Sequence, residues 1–169
     1  MEPAFEKEGD RFAVHLSKGV RGLLVELCQQ SRALLEAEDP SSDPAVARLF
    51  PPAYQDDPLR NLEFESTVGE APRAGKLQAL DTVERTAQAP ELSEDELLAW
   101  IGVVNDLRLV LGTRIDITEE ATDEDFPADD PRHESYRVYH FLGYLLQEML
   151  EAAGAPDVGE PEDSVGGRD

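Results

Sequence analysis

The sequence predicts a mainly α, single-domain helical bundle of about five helices, with a short N-terminal β-hairpin and a disordered acidic C-terminal tail. Three observations predict it. Apolar residues recur at helical spacing in successive stretches of the chain. Capping residues and Gly or Pro punctuation bracket those stretches. The 169 residues, 40% hydrophobic and 31% charged, are enough for one domain with a sizeable core. The domain is expected over residues 4–154 and the tail over 155–169.

Residues 4–8 and 11–16 are short, partly alternating runs separated by Gly9-Asp10, the pattern of a small hairpin. Ser17 can cap the helix that follows, where Val20, Leu23, Leu24, Leu27, Cys28, Leu34 and Leu35 share helical spacing. That helix stops at Asp39-Pro40. Residues 44–49 suggest one helical turn running into an extended Pro51-Pro52 segment, with Phe50 and Tyr54 placed to pin it to the core. Asp57 and Pro58 open a further short segment with Leu59, Leu62 and Phe64 inward. Residues 70–89 form another helix through Leu77, Leu80, Val83 and Ala87.

Ser93, with Glu96 three residues later, is a capping box at the head of the most apolar helix, LLAWIGVVNDLRLVLGTR. Leu97, Trp100, Ile101, Val104, Leu107 and Leu111 share one face of it. Gly112 is read as its left-handed stop, after which Thr113-Arg114 lead the chain away. Residues 113–117 alternate, and 118–132 reads as an acidic loop with little to bury. A last helix over roughly 133–153 carries Val138, Leu142, Leu145, Met149 and Ala152, widened by Phe141 and Leu146, and ends at Gly154 and Pro156.

Charge excludes one class of function. Acidic residues outnumber basic ones 37 to 15, a formal net charge of −22. DNA affinity rests mainly on Lys and Arg neutralising phosphates, so tight DNA binding by this chain alone is not expected. The N-terminus has neither a basic nor an apolar signal region, and no apolar run approaches the roughly 18 residues that span a bilayer. A cytoplasmic protein without membrane contact is the expectation.

Candidate chemistry is sparse. Cys28 is the one cysteine, which excludes an intramolecular disulfide and a cysteine zinc site. It is either a small buried hydrophobe between Leu24 and Leu35, or a redox thiol that Arg32, four residues on, could activate. His133 and His140 lie about 10 Å apart along a helix, too far for one metal. The acidic TDEDFPADDP loop fails the calcium-loop pattern, with Pro127 and Ala128 at positions where a ligand and glycine are needed. Phosphate loops, nucleophile elbows and zinc-protease helices do not occur, so no enzyme, metal or cofactor is expected.

Within the apolar helix, Asn105, Asp106 and Arg108 interrupt the run. Arg108 lies about 50° from the centre of the apolar face, Asp106 points away from that face, and Asn105 sits on its flank. Residues two apart do not face each other, so Asp106 and Arg108 cannot pair within the helix. Arg108 is expected to snorkel or to meet a carboxylate from another segment, with a ligand or partner site as the alternative.

Three stretches together, VARLFPPAYQDDP (Val46–Pro58), NDLRLVLGTRIDI (Asn105–Ile117) and YHFLGYLLQEML (Tyr139–Leu150), resemble an actinobacterial family of small helical proteins. That family, long of unknown function, includes an oxidative-stress transcriptional regulator. The resemblance covers roughly residues 5–153, and its most specific motif contains Asn105, Asp106, Arg108, Gly112, Thr113 and Arg114, read here as architecture. It implies a regulator that acts with an alternative sigma factor or RNA polymerase on sulfur-metabolism genes, through protein contact rather than direct DNA binding. Redox sensing in that regulator rests on a cysteine pair, whereas this chain has Cys28 alone, so an intramolecular switch cannot operate here. An intermolecular disulfide or adduct on Cys28, a homodimer, and a non-enzymatic adaptor role without transcription all stay open.

Overall fold

The computed structural model describes residues 2–37, 39–50 and 70–154. Strands β1 (Phe5–Glu8) and β2 (Arg11–Val14) form the expected hairpin, paired from Phe5 opposite Val14 to Glu8 opposite Arg11. Gly9 opens its turn at φ +66°, a left-handed value that glycine adopts without Cβ strain. Five α-helices follow among the described residues: α1 (Lys18–Leu35), α2 (Pro44–Ala47), α3 (Glu70–Thr86), α4 (Glu94–Arg114) and α5 (His133–Ala152). A third strand, β3 (Glu91–Ser93), adds to β2 and makes a three-stranded antiparallel sheet. Three residues, the last of them the helix cap Ser93, carry too short an alternation to be read as a strand from sequence. The proposed Pro51-Pro52, Tyr54 and Asp57–Phe64 features and the 155–169 tail lie outside the described residues.

The caps act as their residue types dictate. Ser17 Oγ accepts from Val20 N at 3.2 Å, and Ser93 and Glu96 close a reciprocal box, each side chain bonding the other's backbone N–H. Asp43 caps α2 by accepting from Ala45 N at 2.9 Å.

Helix α4 is central, packed against α3 on one flank and α5 on the other. Its buried residues are Leu97, Trp100, Val103, Val104, Leu107, Val110 and Gly112. The buried arc is therefore shifted toward Val103 and Val110, while Ile101 and Leu111 are only half-buried. Two flanking helices bury more of α4 than the single stripe read from sequence. Trp100 is fully buried, edge-on to Phe5 at 6.0 Å, and its indole N–H donates to Thr86 Oγ1 at 2.8 Å. That hydroxyl in turn donates to Thr82 O at 2.6 Å.

Two expectations are corrected. Gly112 does not end α4; the helix continues through Thr113 and Arg114, and Asp116 takes the positive φ, at 57°. What Gly112 supplies is clearance, because a Cβ there would lie 3.0 Å from Tyr139 Cε2 and 3.1 Å from Ile117 Cγ2. Nor is the acidic loop without a core of its own. Phe126 is buried with Ile115 and Tyr136 in a second small cluster, its ring stacked on Tyr136 at 4.3 Å. Arg132 covers the Phe126 ring at 4.6 Å, and Tyr136 donates its hydroxyl to Asp123 at 2.8 Å.

Arg21, unremarked in the sequence, is buried under the hairpin. Its guanidinium donates to the carbonyls of Leu16, Val14, Ala87 and Ala89 at 2.8–3.1 Å, tying β2 to the end of α3 without any carboxylate. Ala4 N donates to Glu148 Oε1 at 2.9 Å, which fastens the hairpin to α5.

Candidate functional site

The polar residues of α4 do not act as one group; the helix distributes them to three neighbours. Asp106 turns toward α3, where Lys76 Nζ reaches its Oδ2 at 2.9 Å. Arg114 reaches α2, donating to Asp43 Oδ2 at 2.7 Å. The same carboxylate caps α2, and these bonds, the one from Arg114 foremost, hold it below the usual carboxylate range. Thr113 bonds back to Leu109 O at 2.9 Å. Arg108 faces α5.

Of the two alternatives for Arg108, a carboxylate partner is not found among the described residues; the side chain is half-buried and packs on α5. Its guanidinium carbon lies 4.5 Å from the centre of the Tyr139 ring. Its Nε sits against the backbone of Gly143, where a Cβ would lie 3.0 Å away. That Nε is buried and has no hydrogen-bond partner. Stacking on an aromatic face contributes about 0.5–2 kcal/mol. A buried donor left unpaired costs about 1–3 kcal/mol. The two terms roughly offset, so stability alone does not account for an arginine at this position.

Beside it lies a cleft of about 210 Å³. Arg48, Asn105, Arg108, Gly112, Asp116 and Tyr139 are among the residues that line it. Each of the three resembling stretches contributes: Arg48 from the first, Asn105 to Asp116 from the second and Tyr139 from the third. Arg48 and Tyr139 were not singled out from sequence. Neither carries a motif of its own, and only the packing of α2 and α5 beside α4 brings them to Arg108.

Cys28 is fully buried on α1. Burial first, and the Glu84 carboxylate second, push its thiol up to about 12, with Arg32 opposing. Arg32 is engaged elsewhere, 2.7 Å from both Asp81 and Glu84 on α3. The thiol is thus closed off and short of thiolate, the opposite of a reactive cysteine.

The histidines take separate places. His133 Nδ1 is 2.8 Å from Phe126 O, His140 lies edge-on to Tyr136, and His15 sits between the carboxylates of Glu2 and Glu6. Among the described residues no three His, Cys, Asp or Glu side chains converge as a metal site would require. No helix among them is long and apolar enough to cross a membrane.

The profile of a family described as "Domain of unknown function (DUF2017)" matches residues 1–153. The chain belongs to the DUF2017 family. Relatives of this DUF2017 chain include proteins named "Oxidative stress regulator AosR" from Mycobacterium bovis and Mycobacterium tuberculosis. Each is 31% identical over 182 residues, covering 85% of this chain and 82% of the relative. A Mycobacterium leprae relative is 36% identical over 128 residues, 66% of this chain and 58% of its own length. No solved structure matches the chain.

Proposed function

We propose that this protein regulates a response to oxidants from the cytoplasm by binding another protein, a sigma factor or RNA polymerase, without catalysis and without reading DNA itself. The observation that carries the regulatory part is the 31% identity, over most of both chains, to proteins named as oxidative stress regulators. The protein-contact part is supported by charge. A chain with net charge −22 is repelled by phosphate backbones, and complementary fields favour a basic protein face. The burial of Cys28 supports a role in which the oxidant signal reaches this chain through its partner rather than through its own thiol.

The test is reconstitution from purified components. The protein is run by size-exclusion chromatography with RNA polymerase core and with the stress-response sigma factors of its own host, and separately in a gel-shift assay with target promoters. Co-elution with polymerase or a sigma factor, and no shift by the protein alone, is expected. A nanomolar, sequence-specific shift without any partner overturns the protein-contact reading. Absence of any polymerase or sigma complex, alongside other partners captured from native lysate, points instead to an adaptor without a transcriptional role.

A further inference from the structure

We propose that the cleft between α2, α4 and α5 binds a small oxyanion, a free metabolite bearing a carboxylate or phosphate group, with Arg108 as its main contact. This stands independently of the regulatory reading. Its first support is the contrast between the two inward arginines. Arg21 spends its guanidinium on four carbonyl oxygens. Arg108 is held in place by Tyr139 and Gly143 but bonds to nothing: its Nε is the buried side-chain polar atom left unpaired among the described residues. A guanidinium fixed by a ring stack, with its N–H fork unspent, is prepared for bidentate capture of an oxyanion.

The second support is local charge. Arg48 lines the same cleft, and among the described residues neither it nor Arg108 makes an ion pair, though acidic side chains outnumber basic ones 37 to 15 in the chain. Two guanidinium groups against the one carboxylate of Asp116 leave the cleft one positive charge in excess. The walls of such a cleft focus its field on small anions even where the whole molecule is acidic. Asn105, three residues before Arg108 and exposed at the rim, adds an amide that can donate. Thr113 does not serve, because its hydroxyl proton is committed to Leu109 O.

The third support is size. A cleft of about 210 Å³ has room for phosphate or a short dicarboxylate.

The probes are inorganic phosphate and succinate, titrated into the full chain by calorimetry at constant ionic strength, with chloride as the control. Saturable one-to-one binding by at least one probe and none by chloride is expected; which probe binds separates the phosphate from the carboxylate source. Arg108→Met should weaken binding at least tenfold and Arg48→Gln, on an exposed side chain, several-fold. Both variants are checked for native melting; should Arg108→Met fail to fold, Arg48→Gln decides alone. The NMR signal of Arg108 Nε–H should shift with the binding isotherm. Failure of both probes to bind, or binding that survives both substitutions, overturns the proposal.

Discussion

The guanidinium of Arg108 and the ring of Tyr139 are stacked 4.5 Å apart, and the ring's edge rests on Gly112. The ring is thereby caught between two residues of one helix, four positions apart. A methyl group at position 112 cannot be accommodated by a free swing of that ring. Replacing glycine by alanine inside a helix contributes about 1 kcal/mol of propensity. Overpacking a tight site costs typically 1–3 kcal/mol.

Gly112→Ala should therefore be net destabilising by about 1 kcal/mol, measured as a urea midpoint. The cost should be smaller when measured in a Tyr139→Leu background, where only the contact with Ile117 remains, since residues that touch do not add independently. An unchanged or raised midpoint in the single variant would show that the ring moves freely.

Thr86 links the core tryptophan to the backbone of α3, so its hydroxyl is the critical atom rather than its shape. Thr86→Val keeps the volume but leaves the Trp100 indole N–H buried without an acceptor. The expected loss is about 1–3 kcal/mol. Trp100 is the single tryptophan, so its fluorescence reports the transition directly. Equal midpoints for the two proteins would contradict the assignment.

Cys28, with its thiol near 12, should react slowly with a thiol reagent in the native protein and quickly once unfolded. Across neutral pH the thiolate stays scarce, and access requires the α1–α3 clamp of Arg32, Asp81 and Glu84 to open. Peroxide should give no covalent dimer on a non-reducing gel. Rapid native labelling together with a peroxide-induced dimer would restore a redox switch acting between chains.

Asp43, Glu96 and Asp130 are held low in the folded state, and for Asp43 and Asp130 the foremost cause is an arginine bond that bears on the response to acid. Hydrogen bonds from the Arg132 side chain and backbone push Asp130 down to about 2, and Asp43 is lowered chiefly by Arg114. A carboxylate lowered in the folded state stabilises the fold above its unfolded value, about 3.9, and that contribution is lost as pH falls through the folded value. Melting temperature should therefore decline from about pH 4 toward pH 2. Asp130→Asn and Asp43→Asn, which cannot bind the proton, should decline less steeply. Curves parallel to that of the parent protein would show that neither bond matters in acid.

The helices themselves were legible in the sequence, because 3.6-residue periodicity and capping chemistry are local. Ser17, Ser93 and Glu96 mark helix starts by bonds to residues three positions away, and Leu24, Cys28 and Leu35 lie on one stripe whatever packs against it. Net charge and the lone cysteine are likewise properties of composition. The tertiary structure alone decided which groups meet across elements. Gly112 looks like a helix stop until the Tyr139 ring from α5 is seen to need its missing Cβ. Phe126 reads as part of a solvated loop until Tyr136 stacks on it. Arg21 and Arg108 are the same residue type at the edge of similar apolar stripes. One meets four carbonyls from β2 and the end of α3 and the other an aromatic ring and a cleft, because a side chain's partners depend on chain segments tens of residues away, about which local spacing carries no information.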